Sequence, residues 1–335
     1  MIKPDKLEKG DKVGIVSPSF HINTGKNPKR VDKIVKFLEE ENLEIEFGKN
    51  ARERYAYLSG TVEERVNDIH RFFKKDDIKA IICSIGGYNA NSLLPHLNYD
   101  LIRNNPKIFL GYKDINTINT AINEKSSLVT FNGTLIDNLE KENRADYTKE
   151  YFRKSLFSEK PIGEIKEFKD PGKYEIKEFV QKGNDSEIEN REKIDKYRCI
   201  RKGECEGVIK GGNLISMMYL GGTKYMPEFK DSIMVLGEPE GNIMALEKKM
   251  EYLDQLGILE KINGMVFGRP SKIYLEHNER KLKDVLKTYG DRRNFPILSG
   301  PLIGSHSPSI TLPIGVKAKM NSNKKYFSIT ESGVK

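Results

Sequence analysis

The chain has 335 residues, which exceeds the usual size of one domain and predicts two packed units. Lys and Arg outnumber Asp and Glu by 57 to 49. Positive and negative residues alternate along the chain, as on a solvated surface, and do not form the continuous positive stripe that is typical of nucleic-acid binding. No apolar run reaches the roughly 20 residues of a membrane helix, and the first residues lack a signal-peptide pattern. We therefore expect no nucleic-acid partner, no membrane partner and a cytoplasmic location.

The first part of the chain alternates short apolar runs with amphipathic helical patterns. KVGIVSP predicts a strand, and the apolar residues of the segment after it recur at helical spacing. Thr61 and Glu64 form a capping box that predicts the start of a second helix. KAIICSI, KIFLGY and LVTFNG then predict strands that are buried on both faces, as in a parallel sheet. This alternation predicts an α/β domain over residues 1–165.

The remaining chain differs in composition from this first block. Residues 166–206 are dense in charged and turn-forming residues without a sustained period, which predicts a charged linker. Residues 207–335 mix strand patterns with helical ones and end in short strands around TLPIGV and KYFSIT. The predicted fold class is α/β, with an N-terminal parallel-sheet domain and a second, mixed α+β domain.

Two turns follow predicted strands, at the edge where open α/β sheets bind ligands. In SIGGYN, Gly86 and Gly87 would let the backbone approach an anion or oxyanion closely, although an ordinary tight turn would use them equally well. GYKD has the strand-turn-helix pattern of a nucleophile elbow, with Lys113 at its apex. Lys113 could be a general base, a Schiff-base former, an anion clamp or a solvated surface lysine.

A third cluster lies in LIGSHSPSITLPIG, where Ser305 and His306 are neighbours before a strand. Their adjacency alone does not make a catalytic pair, and a hydrogen-bonded loop histidine is the alternative. The sequence contains no HExxH, Walker A or GxGxxG motif, and its three cysteines lack zinc-site or disulfide-framework spacing. We therefore expect neither a metal ion nor a cofactor.

Read together, these segments resemble peptidase family S66, the LD-carboxypeptidases and microcin C7 immunity proteins. The resemblance rests on KLEKGDKVGIVSPS, YLSGTVEERVNDI, IGGYNANSLLPHLNYDLI, NPKIFLGYKD, IKGGNLISMMYLGGTKYMP and SPSITLPIGV, in this order over almost the whole chain. It implies a flavodoxin-like N-terminal domain, a site in the cleft between two domains, and a homodimer. It also implies a Ser-Glu-His triad that cleaves an amide next to a terminal carboxylate. The backbone N–H groups of Gly87 and Asp114 would be the oxyanion donors.

The triad implied by the resemblance does not carry over position by position. Lys113 stands where the family has its serine, and an ungapped alignment puts Gly237 and Ser305 at the glutamate and histidine positions. Glu238 and His306 lie one residue further on, so a one-residue loop shift would restore them. An ammonium group cannot replace a hydroxyl nucleophile, and losing a triad nucleophile costs on the order of a millionfold in rate.

Two hypotheses about function follow. In the first, the protein is catalytically degenerate but keeps the cleft, and Lys113 attracts the carboxylate or phosphate of a peptide-like ligand. In the second, it is an active amidase or carboxypeptidase with a rebuilt site. Ser305 is then the nucleophile and Lys113 the base, roughly 3 Å away, or a loop shift restores Glu238 and His306. A purely structural role has no groove, repeat or tail in the sequence to support it.

The ligand stays open between two classes. The immunity-protein branch stacks a nucleotide base on aromatic side chains between the domains, and this chain has no Trp. Phe179, Tyr174 or Tyr197 would have to replace it if the ligand is a peptidyl nucleotide. A murein-type peptide with a free carboxylate is the alternative.

Overall fold

The computed structural model shows three β-sheets among the residues that it describes, with helices packed against them. It describes residues 1–22, 30–133, 142–168, 176–182, 185–192, 196–237, 240–269, 272–274, 281–304 and 308–335.

The first part of the chain alternates strands and helices, as the sequence predicts. Its elements are β1 (Lys12–Val16), α1 (Arg30–Glu40), β2 (Glu44–Phe47), α2 (Val62–Lys74), β3 (Ile78–Cys83), a 3-10 helix (Ala90–His96), α3 (Tyr99–Asn104), β4 (Ile108–Gly111), a 3-10 helix (Lys113–Ile115), α4 (Asn116–Ser126), β5 (Thr130–Asn132) and α5 (Glu142–Leu156).

The rest of the chain has more strands than helices. Its elements are β6 (Gly163–Glu164), β7 (Ile176–Lys182), β8 (Asp185–Glu192), β9 (Arg198–Arg201), β10 (Glu204–Asn213), α6 (Leu214–Leu220), β11 (Ser232–Gly237), β12 (Glu240–Asn242), α7 (Ile243–Gln255), β13 (Ile262–Phe267), β14 (Lys272–Tyr274), α8 (Leu282–Arg293), β15 (Ile297–Ser299), β16 (Leu312–Ile314), β17 (Lys317–Asn321) and β18 (Tyr326–Ile329).

The first sheet has the order β16-β5-β4-β3-β1-β2. Its five N-terminal strands are parallel, and their spatial order 2-1-3-4-5 is that of flavodoxin-like doubly wound folds. This confirms the predicted parallel-sheet domain. In such sheets, ligands bind beyond the carboxyl ends of the strands, where the loops after β1, β3 and β4 lie side by side.

The predicted capping box opens α2. The Thr61 hydroxyl accepts a hydrogen bond from the Glu64 backbone N–H at 3.2 Å, and the Glu64 carboxylate accepts one from the Thr61 N–H at 2.8 Å. The apolar face of α2, which includes Val66, Ile69 and Phe73, is buried against the first sheet's core. The start of α2 is therefore held by hydrogen bonds between neighbouring residues, directly after the loop at residues 55–60.

The second sheet has the order β6-β18-β17-β10-β11-β13-β15-β9, and a third sheet has the order β12-β14-β7-β8. Strands β10, β11, β13 and β15 are parallel, whereas β17, β18, β6 and β9 pair antiparallel. The mixed character predicted for the second block is confirmed. Strand β16 belongs to the second block in sequence but pairs antiparallel with β5 of the first sheet.

The boundaries predicted at residues 1–165, 166–206 and 207–335 stay a prediction. Within 166–206 the structure forms strands, because β7 and β8 pair with each other as an antiparallel hairpin and β9 pairs with β15. The buried apolar clusters also cross between the two blocks, since one of them contains Phe73, Ile118, Leu214 and Met217 together. The two blocks are therefore packed on each other through a shared core beside α4 and α6.

Candidate active site

The turn between β4 and α4 is a tight elbow. Lys113 has φ +56°, a left-handed conformation that costs a residue with a side chain roughly 1–2 kcal/mol. A sharp, strained turn between a strand and a helix is the geometry that exposes a nucleophile above a sheet. Gly111 permits the turn, because a Cβ atom there would lie 2.3 Å from Cγ2 of Ile115. The structure thus places the half-buried Lys113 at the apex where the sequence predicts it.

The diglycine after β3 lies against this elbow. A Cβ atom on Gly86 would lie 2.7 Å from Cβ of Lys113 and 3.0 Å from the Tyr112 carbonyl oxygen. Gly87 has φ +153°, and a Cβ atom there would lie 2.4 Å from the ring of Phe20. A side chain at position 86 would push the β3 loop away from Lys113, and a side chain at position 87 would push it away from Phe20. Gly86 therefore lets the loop lie against the elbow, and Gly87 lets it lie against the loop after β1.

The carboxylate of Asp114 points beneath these loops. It accepts hydrogen bonds from the Ser19 hydroxyl at 2.7 Å and from the Ala90 backbone N–H at 2.8 Å. Burial raises the pKa of Asp114, and these hydrogen bonds and the nearby Arg65 charge oppose the increase. The side chain of Asp114 therefore ties the loops after β1 and β3 to the elbow. The oxyanion role predicted for its backbone N–H stays a prediction.

Arg65 supports the same loops from α2. Its buried guanidinium donates to the carbonyl oxygen of Pro18 at 2.6 Å and to that of Asn89 at 3.4 Å. Burial lowers the pKa of Arg65, while the charge of Asp114 opposes that decrease. A buried cation and a buried carboxylate thus hold the loop backbones at the edge of the first sheet in place.

The second block contacts the elbow through polar side chains that the sequence analysis missed. The Ser216 hydroxyl donates to the Lys113 carbonyl oxygen at 2.9 Å, and the Asn213 side chain caps α6 at the Ser216 N–H. The Asn116 amide donates to the Gly211 carbonyl oxygen at 3.3 Å and accepts from the Asn213 N–H at 2.9 Å. Their own segments gave no signal for these contacts, because Ser216 and Asn213 reach partners about a hundred positions away in the chain.

Glu238, Ser305 and His306 lie outside the described residues, so the structure does not test their roles. The described residues that precede them are close together. A Cβ atom on Gly237 would lie 3.3 Å from Cα of Gly304 and 3.3 Å from the carbonyl oxygen of Gly212. Gly237 and Gly304, the last described residues before positions 238 and 305, therefore lie close together beside β10, the strand that contacts Asn116.

Of the three aromatic residues suggested for stacking, only Tyr197 has a described side chain. Tyr197 is wrong as a stacking residue, because it is 2% exposed and its hydroxyl donates to the Ile165 carbonyl oxygen at 2.9 Å. Tyr174 lies outside the described residues, and Phe179 lies in β7 without a described side chain. Two exposed tyrosines that the sequence analysis did not select, Tyr57 and Tyr88, contact the ring of Phe20 in the loop after β1.

The described residues contain neither a metal-binding cluster nor a membrane-spanning helix. Among them, no group of three or more His, Cys, Asp or Glu side chains is placed to hold a metal ion. Within the same ranges, no helix has both the length and the apolarity needed for a membrane crossing.

Comparison with known proteins gives the family. The LD-carboxypeptidase N-terminal domain model matches residues 13–133, and the LD-carboxypeptidase C-terminal domain model matches residues 206–320. The chain belongs to the LD-carboxypeptidase family. The resemblance read from the sequence motifs is thereby confirmed.

Three individual similarities describe where the chain lies within the LD-carboxypeptidase family. The probable murein peptide carboxypeptidase of Bacillus subtilis is 29% identical, over 99% of this chain and 95% of the relative. The microcin C7 self-immunity protein MccF of Escherichia coli is 32% identical, over 97% of this chain and 94% of the relative. A solved structure of MccF in complex with aspartyl sulfamoyl adenosine covers 100% of both chains with a TM-score of 0.86 and 29% identity.

Proposed function

We propose that the protein is a catalytically degenerate LD-carboxypeptidase relative that binds a peptide-like ligand at the elbow through a carboxylate or phosphate group. The observation that carries this proposal is the position of Lys113. Its left-handed backbone puts a cation, and not a hydroxyl, at the point where a nucleophile elbow presents its reactive group. A lysine ammonium is a compact, strongly hydrated charge with three donors, which suits anion binding.

The surroundings of Lys113 support binding of an anion. Gly86 lets the backbone of the β3 loop lie against the elbow, and a glycine at such a turn allows N–H groups to approach an anionic ligand. The loops are held from below by Asp114 and from the second block by Ser216. Because these supports order the elbow before a ligand arrives, less conformational entropy is lost when it binds.

The relatives suggest which ligands to test. The Bacillus subtilis relative is a probable murein peptide carboxypeptidase, and MccF has been solved with aspartyl sulfamoyl adenosine. We propose that a murein-type tetrapeptide or an aminoacyl sulfamoyl nucleotide binds this chain at the elbow, with its anionic group at Lys113. A homodimer remains part of the proposal.

An active site rebuilt from other residues is the second candidate. The proximity of Gly237 and Gly304 favours it, because the chain runs from these residues directly into Glu238 and Ser305. In that case, Ser305 would be the nucleophile with Lys113 as base, or Glu238 and His306 would serve a restored triad.

Calorimetry and product analysis on the same samples separate these functions. Wild-type protein should bind the tetrapeptide or the nucleotide without releasing a product. Lys113→Ala should weaken binding about 10- to 100-fold, since a charge-assisted hydrogen bond contributes about 1.5–3 kcal/mol. Lys125→Ala removes the same charge from an exposed position on α4 and should leave the affinity unchanged. Turnover by the wild type at about 1 s⁻¹ or faster would exclude degeneracy.

Two further measurements identify which catalytic groups have survived. If the site is rebuilt, a serine-directed covalent probe should label Ser305 in the wild type and should not label it in Lys113→Ala. If Lys113→Ser gains carboxypeptidase activity, Glu238 and His306 have retained positions from which they can serve a serine. If it gains none, the whole triad has been lost.

A further inference from the structure

A hollow of about 550 Å³ lies on the second sheet, where β10 begins, β17 ends and β18 begins. Its volume falls within the roughly 300–1,000 Å³ that is typical of small-molecule sites. Strand β10 starts in the hollow and ends at Asn213, which contacts Asn116 beside the elbow. At 3.3 Å per residue, the strand separates the hollow from the elbow by roughly 25 Å. The hollow is therefore a second site, remote from Lys113.

The two sides of the hollow carry opposite charges. Glu204 and Glu206 of β10 line one side, and Lys319 of β17 and Lys324 of the following turn line the other. The Lys319 ammonium pairs with the Glu206 carboxylate at 2.9 Å. The Asn321 amide donates to the Glu204 carboxylate at 2.7 Å, which is a contact with a neutral group. Among the described residues, the carboxylate of Glu204 and the ammonium of Lys324 therefore have no partner of opposite charge.

The turn that carries Lys324 is held against the start of β10. The Lys324 backbone N–H donates to the Asn321 side chain at 3.0 Å. The Asn323 side chain accepts from the Gly203 N–H at 3.0 Å, and the Ser322 N–H donates to the Gly203 carbonyl oxygen at 2.9 Å. The backbones on the two sides of the hollow are therefore fixed relative to each other. A site that is ordered in advance loses less conformational entropy when a ligand binds.

The ring of Tyr326 supplies apolar surface in the hollow. Tyr326 is half-buried at the start of β18, and its backbone pairs with that of Asn321. The side chains of Cys205 and Met320 belong to the opposite face of the sheet, because a Cβ atom on Gly264 would lie 2.4 Å from the sulfur of Cys205 and 3.1 Å from Cε of Met320. The tyrosine ring therefore lies on the same side of the sheet as the charged groups.

We propose that this hollow binds a free amino acid with an apolar side chain, in its zwitterionic form. The ammonium group of the ligand contacts the Glu204 carboxylate, and its carboxylate contacts the Lys324 ammonium. Its side chain lies against the ring of Tyr326. A simple anion or cation would pair with one of the two protein charges and leave the other unpaired, whereas a zwitterion pairs with both. The inference does not depend on the function proposed for the elbow.

Calorimetry with four matched probes tests the ligand class. L-leucine carries both charges, N-acetyl-L-leucine lacks the ammonium group, L-leucinamide lacks the carboxylate, and glycine lacks the side chain. We expect L-leucine to bind the wild type with a Kd of about 1 mM or tighter. Each of the two blocked probes should bind about fivefold more weakly, as expected for loss of one exposed charge pair. Glycine should also bind about fivefold more weakly, because it buries no side chain on the ring.

Variants assign the binding to the two charges. Glu204→Gln keeps an acceptor for Asn321 and should weaken L-leucine about fivefold, without changing the affinity for N-acetyl-L-leucine. Lys324→Met keeps the length of the side chain and should weaken L-leucine by a similar factor, without changing the affinity for L-leucinamide. Lys325→Met is the matched control, because Lys325 is exposed in the same turn but does not line the hollow. Circular dichroism confirms that each variant is folded.

Lys113→Ala distinguishes the hollow from the elbow, since it should leave the affinity for L-leucine unchanged. If it removes the binding, the ligand sits at the elbow and the hollow is not its site. A wild type that shows no binding at about 10 mM L-leucine, where a site of about 1 mM affinity would be mostly occupied, would also overturn the inference. So would blocked probes or glycine that bind as tightly as L-leucine, or unchanged affinity for L-leucine in Glu204→Gln and Lys324→Met.

Discussion

The left-handed backbone of Lys113 predicts an unusual order of stability among its variants. Lys113→Gly and Lys113→Ala both remove the ammonium group, so they differ in the Cβ atom alone. A Cβ atom at φ +56° costs about 1–2 kcal/mol, whereas the greater freedom of glycine in the unfolded chain costs about 0.4–1 kcal/mol. The difference leaves the glycine variant more stable than the alanine variant by roughly 0.5–1 kcal/mol.

Urea unfolding followed by circular dichroism measures this difference. The free energy of unfolding should be higher for Lys113→Gly than for Lys113→Ala, with equal m-values. Lys36 provides the control, because it is an exposed residue in the middle of α1, where alanine should be more stable than glycine by about 1 kcal/mol. If alanine is as stable as glycine at position 113, the elbow does not hold the strained backbone on which the proposed function rests.

Two other predictions concern stability. Asn116→Ala should lower the free energy of unfolding by about 1–3 kcal/mol, because it leaves buried groups of both blocks unpaired. Asn263→Ala removes an exposed hydrogen bond to the Glu206 carbonyl oxygen and should cost about 0.5 kcal/mol, so equal urea midpoints for the two variants would contradict this. Burial, with a smaller contribution from Lys74, lowers the pKa of His70, whose neutral Nε2 accepts from the Asn98 N–H at 2.9 Å. The contribution of neutral His70 to the free energy of unfolding should therefore be fully present above the unfolded-state pKa near 6.5 and should be lost as the pH falls through the folded-state pKa. A His70→Gln variant whose free energy of unfolding depends on pH in the same way would refute this.

The sequence predicted features that depend on local spacing. The capping box of Thr61 and Glu64 and the strand KAIICSI were found because capping and apolar periodicity act over a few residues. The elbow at Lys113 was found for the same reason, since a strand, a short turn and a helix follow one another in the chain.

The sequence could not predict contacts between distant segments. Ser216 is a polar residue in a short helix, and nothing within its own segment indicates that its hydroxyl reaches Lys113. Burial of Tyr197 was missed because a charged stretch surrounds it, while its hydroxyl finds the Ile165 carbonyl oxygen in the folded chain. Side-chain pairs of this kind are set by tertiary packing, which local patterns do not encode.

The pairing of β16 with β5 has a consequence for synthesis of the chain on the ribosome. Residues 312–314 complete the first sheet, and the Asn123 amide donates to the Ile314 carbonyl oxygen at 2.9 Å. Until those residues leave the exit tunnel, β5 is an uncovered edge strand, which readily pairs with other chains. Nascent or truncated forms that lack this late segment should therefore aggregate and require chaperone protection.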